Sequence, residues 1–139
     1  MSNRILSTVG ISGVILFATT CILGGMIIEG YDETGQYISE TYAIDSEFGE
    51  PLSIFGHITS GILFALYGFF VCRHFPPSGL TKLGFYGLGI FYGIGTIVVS
   101  IFPCDSGCNK EFIDPSTSQI IHNAMAVLVY LFTPLSILI

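Results

Sequence analysis

The sequence predicts an all-α transmembrane bundle of four spans, and three observations carry that expectation. Only 10% of its 139 residues are charged, against about 25% in an ordinary soluble domain. The mean hydropathy is +0.76. Four apolar runs recur along the chain, each of about 20 residues, enough to cross a hydrocarbon core roughly 30 Å thick at 1.5 Å per residue. Within lipid a single segment can satisfy its own backbone only as a helix. With Lys and Arg numbering 4 in total, a basic nucleic-acid surface is excluded, so no nucleic-acid partner is expected.

The first helix is expected at about residues 5–28, an uncharged run from Ile5 to Ile28. It exceeds the apolar core of a cleaved signal peptide, about 7–15 residues, and no A-x-A site follows it, so it is read as a retained span. An outer loop, 29–51, then holds Glu29, Asp32, Glu33, Glu40, Asp45, Glu47 and Glu50. Tyr31, Tyr37, Tyr42 and Phe48 are interleaved with these acids. Aromatic side chains anchor at headgroup depth, so this loop should fold over the outer mouth. Its acids lack the D-x-D-x-D-G pattern of a calcium loop and read as a solvated face.

The second helix, 52–72, carries one histidine, His57. The inner loop 73–82, "RHFPPSGLTK", turns at Pro76-Pro77, with His74 as a polar anchor beside Arg73. The third helix, 83–102, is uncharged, and a second outer loop, 103–114, holds Asp105, Glu111 and Asp114. The fourth helix, 115–139, should begin with Asp114 as N-cap and Pro115 in its first turn. It stops at Ile139 without a polar flank, which suggests the N-terminal part of a roughly six-span protein. Arg4, Arg73 and Lys82 put the N-terminus and the inner loop on the cytoplasmic side of the cell membrane. Every acidic residue is then extracytoplasmic.

Glycines supply the packing surfaces. Gly89 and Gly93 form a GxxxG pair, and Gly56 with Ser60 and Gly61 with Ala65 repeat the spacing on the second helix. Small residues four apart let helix backbones approach closely. Packing within one chain is the plain reading, and a homo-oligomer through Gly89 and Gly93 is the alternative.

The chemistry concentrates at the outer end. Cys104 and Cys108, spaced C-x3-C in an oxidising location, are expected to form a disulfide that holds Asp105 and Lys110 over the helix ends. A thiolate metal pair is the alternative. Cys21 and Cys72 read as buried thiols. Ser53, His57 and Ser60 share one face of the second helix; Ser118 and His122 share a face of the fourth, with Asn123 adjacent. Polar groups at membrane depth turn toward a bundle interior, so the two stripes should face each other or the outer loops. One reading is structural, with neutral histidines hydrogen-bonded to serines, carbonyls or Asp105. A second is a ligand site. A third is a zinc site of His57, His122 and Asp105, with Cys104 or Glu47, whose ligand types suit that metal.

Four stretches, "ISET", "LSIFGHITSGILF", "GIGTIVVSIFPCD" and "STSQIIHNAMAVLVYLFTPLSIL", together resemble the DUF998 family of multi-pass membrane proteins. The motifs of that resemblance fall on Ile38, Ser39 and Glu40; on Phe102, Pro103 and Asp105; and on His122 with Asn123. It implies about six helices and no assigned chemistry. His57 stands where the family commonly has asparagine, and the C-x3-C is a departure. A more distant similarity is to the Frag1/DRAM/Sfk1 group, associated with lipid distribution and membrane trafficking. Alkaline ceramidases offer a zinc-hydrolase comparison, but their HxxxH motif is missing from this chain.

The expected function is accordingly a non-enzymatic integral membrane protein. An outer-face pocket of His57, Asp105, His122 and Asn123, with Ser53 and Ser60, would bind a lipid headgroup, small molecule, ion or partner. No cofactor is expected on that reading. The first alternative is a zinc-dependent intramembrane hydrolase of lipid amides or esters. The second is a component of small-solute or ion transport, for which the four spans offer no ionisable residue near the midplane.

Overall fold

The computed structural model describes residues 2–139. Four helices are long and apolar enough to cross a membrane: α1, Asn3–Ile27; α2, Gly49–His74; α3, Gly79–Ile101; and α4, Thr117–Leu138. No strand occurs among the described residues. The burial pattern is inverted relative to a water-soluble protein. Val14, Met26, Val127 and Leu138 face outward, while Thr20, Ser53, His57, Ser60, Thr96, Ser100 and Gln119 are buried. The hydroxyls return to the backbone: Thr20 donates to Leu16 O, Thr96 to Tyr92 O and Ser100 to Thr96 O, at 2.8, 2.6 and 2.7 Å. Such local bonding removes the cost of a free hydroxyl in an apolar medium.

Helix ends differ from the sequence expectation where a cap decides them. Ser78 caps α3, its Oγ accepting from Thr81 N at 3.4 Å, so helix starts at Gly79 and the inner connection shrinks to residues 75–78. The α4 cap is Ser116 rather than Asp114; its Oγ accepts from Gln119 N at 3.1 Å. Asp114 itself sits at φ +45°, a left-handed conformation outside the extended geometry of an N-cap.

The helices form an open arc. α1 packs on α2, α2 on α3 and α3 on α4, while α1 and α4 stand apart with a cleft between them. The α2–α3 seam is the tightest. A Cβ on Gly68 would lie 2.6 Å from Gly89 N, and one on Gly93 would lie 2.5 Å from Ala65 N. Gly89 and Gly93 are buried in that seam, so α2 of the same chain covers the face they offer. Intrachain packing, the plain reading of this spacing, is what these two glycines do. Gly56, in turn, receives Thr20 of α1.

Two stretches depart from α-helical geometry. Leu52–Ile58, "LSIFGHI", and Leu88–Ile94, "LGIFYGI", are π-helical. They match at Leu, Ile, Phe and Ile in the same order. π turns are rare and widen a helix locally, often beside a functional site. Here each carries one ring of the cavity described below, His57 in the first and Tyr92 in the second.

Candidate functional site

The first long loop, residues 28–48, closes one end of the arc. Ile38–Tyr42 forms a short 3-10 helix whose Glu40, Thr41 and Tyr42 are buried. Thr41 Oγ1 donates to Ile38 O at 2.7 Å, and Ser46 Oγ to Thr41 O at 2.7 Å. Ile44 N donates to Cys104 O at 2.9 Å, and Ser106 Oγ donates to Asp45. Both acid-rich connectors thus meet at one end of the molecule. Cys104 and Cys108 are joined in a disulfide, with Cα atoms 4.8 Å apart, and pack with Ala43 in a small apolar core.

Glu40 is the electrostatic joint between the two loops. Its carboxylate accepts from Tyr37 N at 2.9 Å and Gln36 Nε2 at 2.8 Å. It also pairs with Lys110 Nζ at 2.9 Å, and that ammonium lies 5.3 Å from the Tyr37 ring centroid. Burial raises the Glu40 pKa, but the hydrogen bonds from Tyr37, Lys110 and Gln36 and the Lys110 charge outweigh it, leaving a net lowering. A carboxylate so depressed contributes stability above its unfolded pKa, and that contribution disappears as pH falls through the folded value. The melting temperature of the wild type should therefore exceed that of Glu40→Gln at neutral pH. The difference should shrink as pH drops below the ordinary glutamate range; a pH-independent difference would refute the assignment.

Gln119 organises the second loop against α4. Its side chain is fully buried. Oε1 accepts from Asp105 N at 2.7 Å, and Nε2 donates to Cys108 O at 3.2 Å and to Asn123 Oδ1 at 2.8 Å. One residue before, Ser118 Oγ donates to Pro103 O at 2.6 Å. His122 Nδ1 lies 3.0 Å from Val99 O and 2.9 Å from Phe102 O. Carbonyls only accept, so Nδ1 carries a proton and donates to both. The end of α3, "FPCD", is thus recognised through backbone groups by side chains of the first turns of α4.

His57 is the contrasting case. It is 1% exposed, and its Nε2 is buried without a hydrogen-bond partner. Tyr42 and Phe17 flank it, with ring centroids at 4.6 and 5.4 Å, and Tyr42 lies 6.4 Å from His122. Burial holds the Tyr42 phenol above the usual tyrosine range and hence neutral. These rings border a cavity of about 310 Å³ into which Tyr92, Thr96 and Tyr130 also project. No Asp, Glu, Lys or Arg lines it.

The expected site residues therefore divide. His57 and His122 line one chamber. Ser53, Ser60, Asp105 and Asn123 do not, because each has a different partner. Ser53 Oγ donates to Ser100 O at 2.7 Å and Ser60 Oγ to His57 O at 2.9 Å; Asn123 is held by Gln119. Asp105 Oδ2 accepts from Ser116 N at 3.0 Å and from Asn109 Nδ2 at 3.5 Å, and these bonds, Ser116's first, hold its carboxyl below the usual range. The zinc trio of His57, His122 and Asp105 is corrected on the same ground: among the described residues no three His, Cys, Asp or Glu converge as a metal site. Sequence reasoning missed Gln119, Tyr42, Tyr92 and Thr96. A glutamine one turn before Asn123 was the available signal for the first.

The family described as "Protein of unknown function (DUF998)" matches residues 11–139. No curated protein and no solved structure matches the chain.

Proposed function

The chain belongs to the DUF998 family of proteins of unknown function, and from its outer end we propose that this multi-pass membrane protein binds the uncharged polar head of an amphiphile. The observation that carries this reading is His57 Nε2, a buried nitrogen without a partner on a residue that borders a chamber lined by no charged side chain. Leaving such an atom unpaired costs about 1–3 kcal/mol, which a ligand hydroxyl would offset. A charged head would find no counter-ion in this apolar enclosure, and desolvating it would cost several kcal/mol. We further infer that the chamber end is extracytoplasmic, since Arg4, Arg73 and Lys82 all flank the opposite end. The hydrolase reading receives no support from the geometry, and neither does a transport path.

The probe is 1-oleoylglycerol, with oleate as its charged counterpart, added to detergent-purified protein. Oleoylglycerol should raise the melting temperature of the wild type. Its affinity should fall at least about tenfold in His57→Leu, the effect of losing one buried hydrogen bond of about 1.4 kcal/mol. The leucine removes an unpaired polar atom, so the unliganded variant should be no less stable than the wild type. Equal affinity in the variant, or oleate binding as tightly as oleoylglycerol, would overturn the reading.

A further inference from the structure

The chamber does not end at His57. Its inner wall is an aromatic group in which Tyr92 lies 4.8 Å from Phe64 and 5.9 Å from Phe17, centroid to centroid. Tyr92 also borders a second, larger cavity of about 890 Å³, which lies between α1 and α4 over a floor of Phe64, Tyr67 and Leu88. Val14 and Ile137 stand on its two walls. Along α4 the two cavities together reach from His122 to Ile137. That is 15 steps of the helix, about 22 Å, or some three-quarters of a hydrocarbon core.

The way in is lateral. Tyr37, Ile38, Ser39 and Tyr42 form part of the chamber lining from above, on a loop fastened to its neighbour by the bonds already described. Tyr130, also on the lining, is 77% exposed on the outward face of α4. The membrane-facing gap between α1 and α4 is therefore the open side, and what enters there comes from lipid. No Asp, Glu, Lys or Arg lines either cavity.

We propose that the ligand is a neutral lipid alcohol whose hydroxyl head sits at His57 and His122 and whose single apolar chain lies in the α1–α4 cleft. This rests on the chamber reading above and adds the occupant of the cleft. The bordering of both cavities by Tyr92, the uncharged lining throughout and the unpartnered His57 nitrogen at one end together select a slender uncharged molecule; Thr133 Oγ1, on the cleft lining, is buried without a partner as well. A headgroup bearing phosphate fits neither cavity, because its charge would be buried without a partner.

The test compares 1-oleoylglycerol with 1-butanoylglycerol in the wild type, in Val14→Trp, which fills the cleft, and in His57→Leu. Val127→Trp, on an exposed position outside both cavities, is the control for an added indole. Each affinity is expressed as a ratio to wild type, so that partitioning of the probe into detergent cancels. Val14→Trp should weaken oleoylglycerol at least tenfold and leave butanoylglycerol within threefold, while Val127→Trp changes neither. If Val14→Trp leaves both probes unchanged while His57→Leu weakens both, the cleft assignment is wrong and the chamber stands. If His57→Leu weakens neither, the chamber reading itself fails, and the inference with it. A wild-type dimer that Val14→Trp converts to a monomer would give the cleft to a second copy and also overturn the proposal.

Discussion

Gly93→Val is expected to be the most damaging single substitution in the spans. In lipid, helix association rests on close packing, since burying oil against oil provides no hydrophobic drive. The α2–α3 seam achieves that packing by bringing backbones together. A Cβ at position 93 would lie 2.5 Å from Ala65 N and 2.7 Å from its Cα, so relief requires a helix to move rather than a side chain to rotate. Overpacking that side chains can absorb costs about 1–3 kcal/mol, and a backbone obstruction belongs at or beyond the upper end. The melting temperature of the purified protein should fall by roughly 10 °C or more, or the variant should fail to accumulate in the membrane. Gly79→Ala provides the comparison, because nothing lies within 4 Å of a Cβ there; its melting temperature should be close to wild type. A Gly93→Val protein with wild-type stability would show that the seam is not formed as described.

The second large effect is expected at Gln119. Leucine matches its size and suits an apolar helix, yet it would leave Asp105 N, Cys108 O and Asn123 Oδ1 without the partners they now have. Each buried group so abandoned costs about 1–3 kcal/mol, so a loss of roughly 3 kcal/mol or more is expected even where water reaches one of them. The damage should be local. Amide exchange at Asp105 and through residues 104–116 should accelerate, while that of the α2–α3 seam remains slow. Unchanged protection of the Asp105 amide in Gln119→Leu would refute the role given to this residue. Glutamate at the same position could still accept from Asp105 N but would lose both donated bonds and bury a charge, so it should be no milder than leucine.

The helices were legible because length and hydropathy suffice to recognise a span, and the bilayer leaves the backbone no alternative. The glycine seam was legible for a similar reason: small-xxx-small spacing specifies a face that can approach another backbone, as Gly89 and Gly93 do. Intrachain packing was the plain reading of that spacing, but which helix supplies the partner, Ala65 and Phe69 of α2, was not legible. His57 and His122 are brought to one cavity. Ser53, Ser60, Asp105 and Asn123 are not, because helical spacing tells which residues share a face and says nothing of which acceptor lies opposite. The π-helical turns compound this. Each alters the residue count per turn, so a face drawn at 3.6 residues per turn drifts at Leu52–Ile58, where His57 lies. The α4 cap shifted because Asp114 adopts a left-handed backbone, a choice set by the loop and invisible in the Asp-Pro pair.

The fastening of Ile44 to Cys104 has a consequence for biogenesis. The first loop emerges early, but the strap that finishes it is encoded about 60 residues later, roughly 3–12 s at the usual pace of translation. Until α3 has been threaded, Tyr42 and the Glu40 carboxylate wait without their final neighbours. Newly made protein should thus pass through a stage in which the loop cap is unmade while two spans are already inserted, and it is there that quality-control machinery would find it.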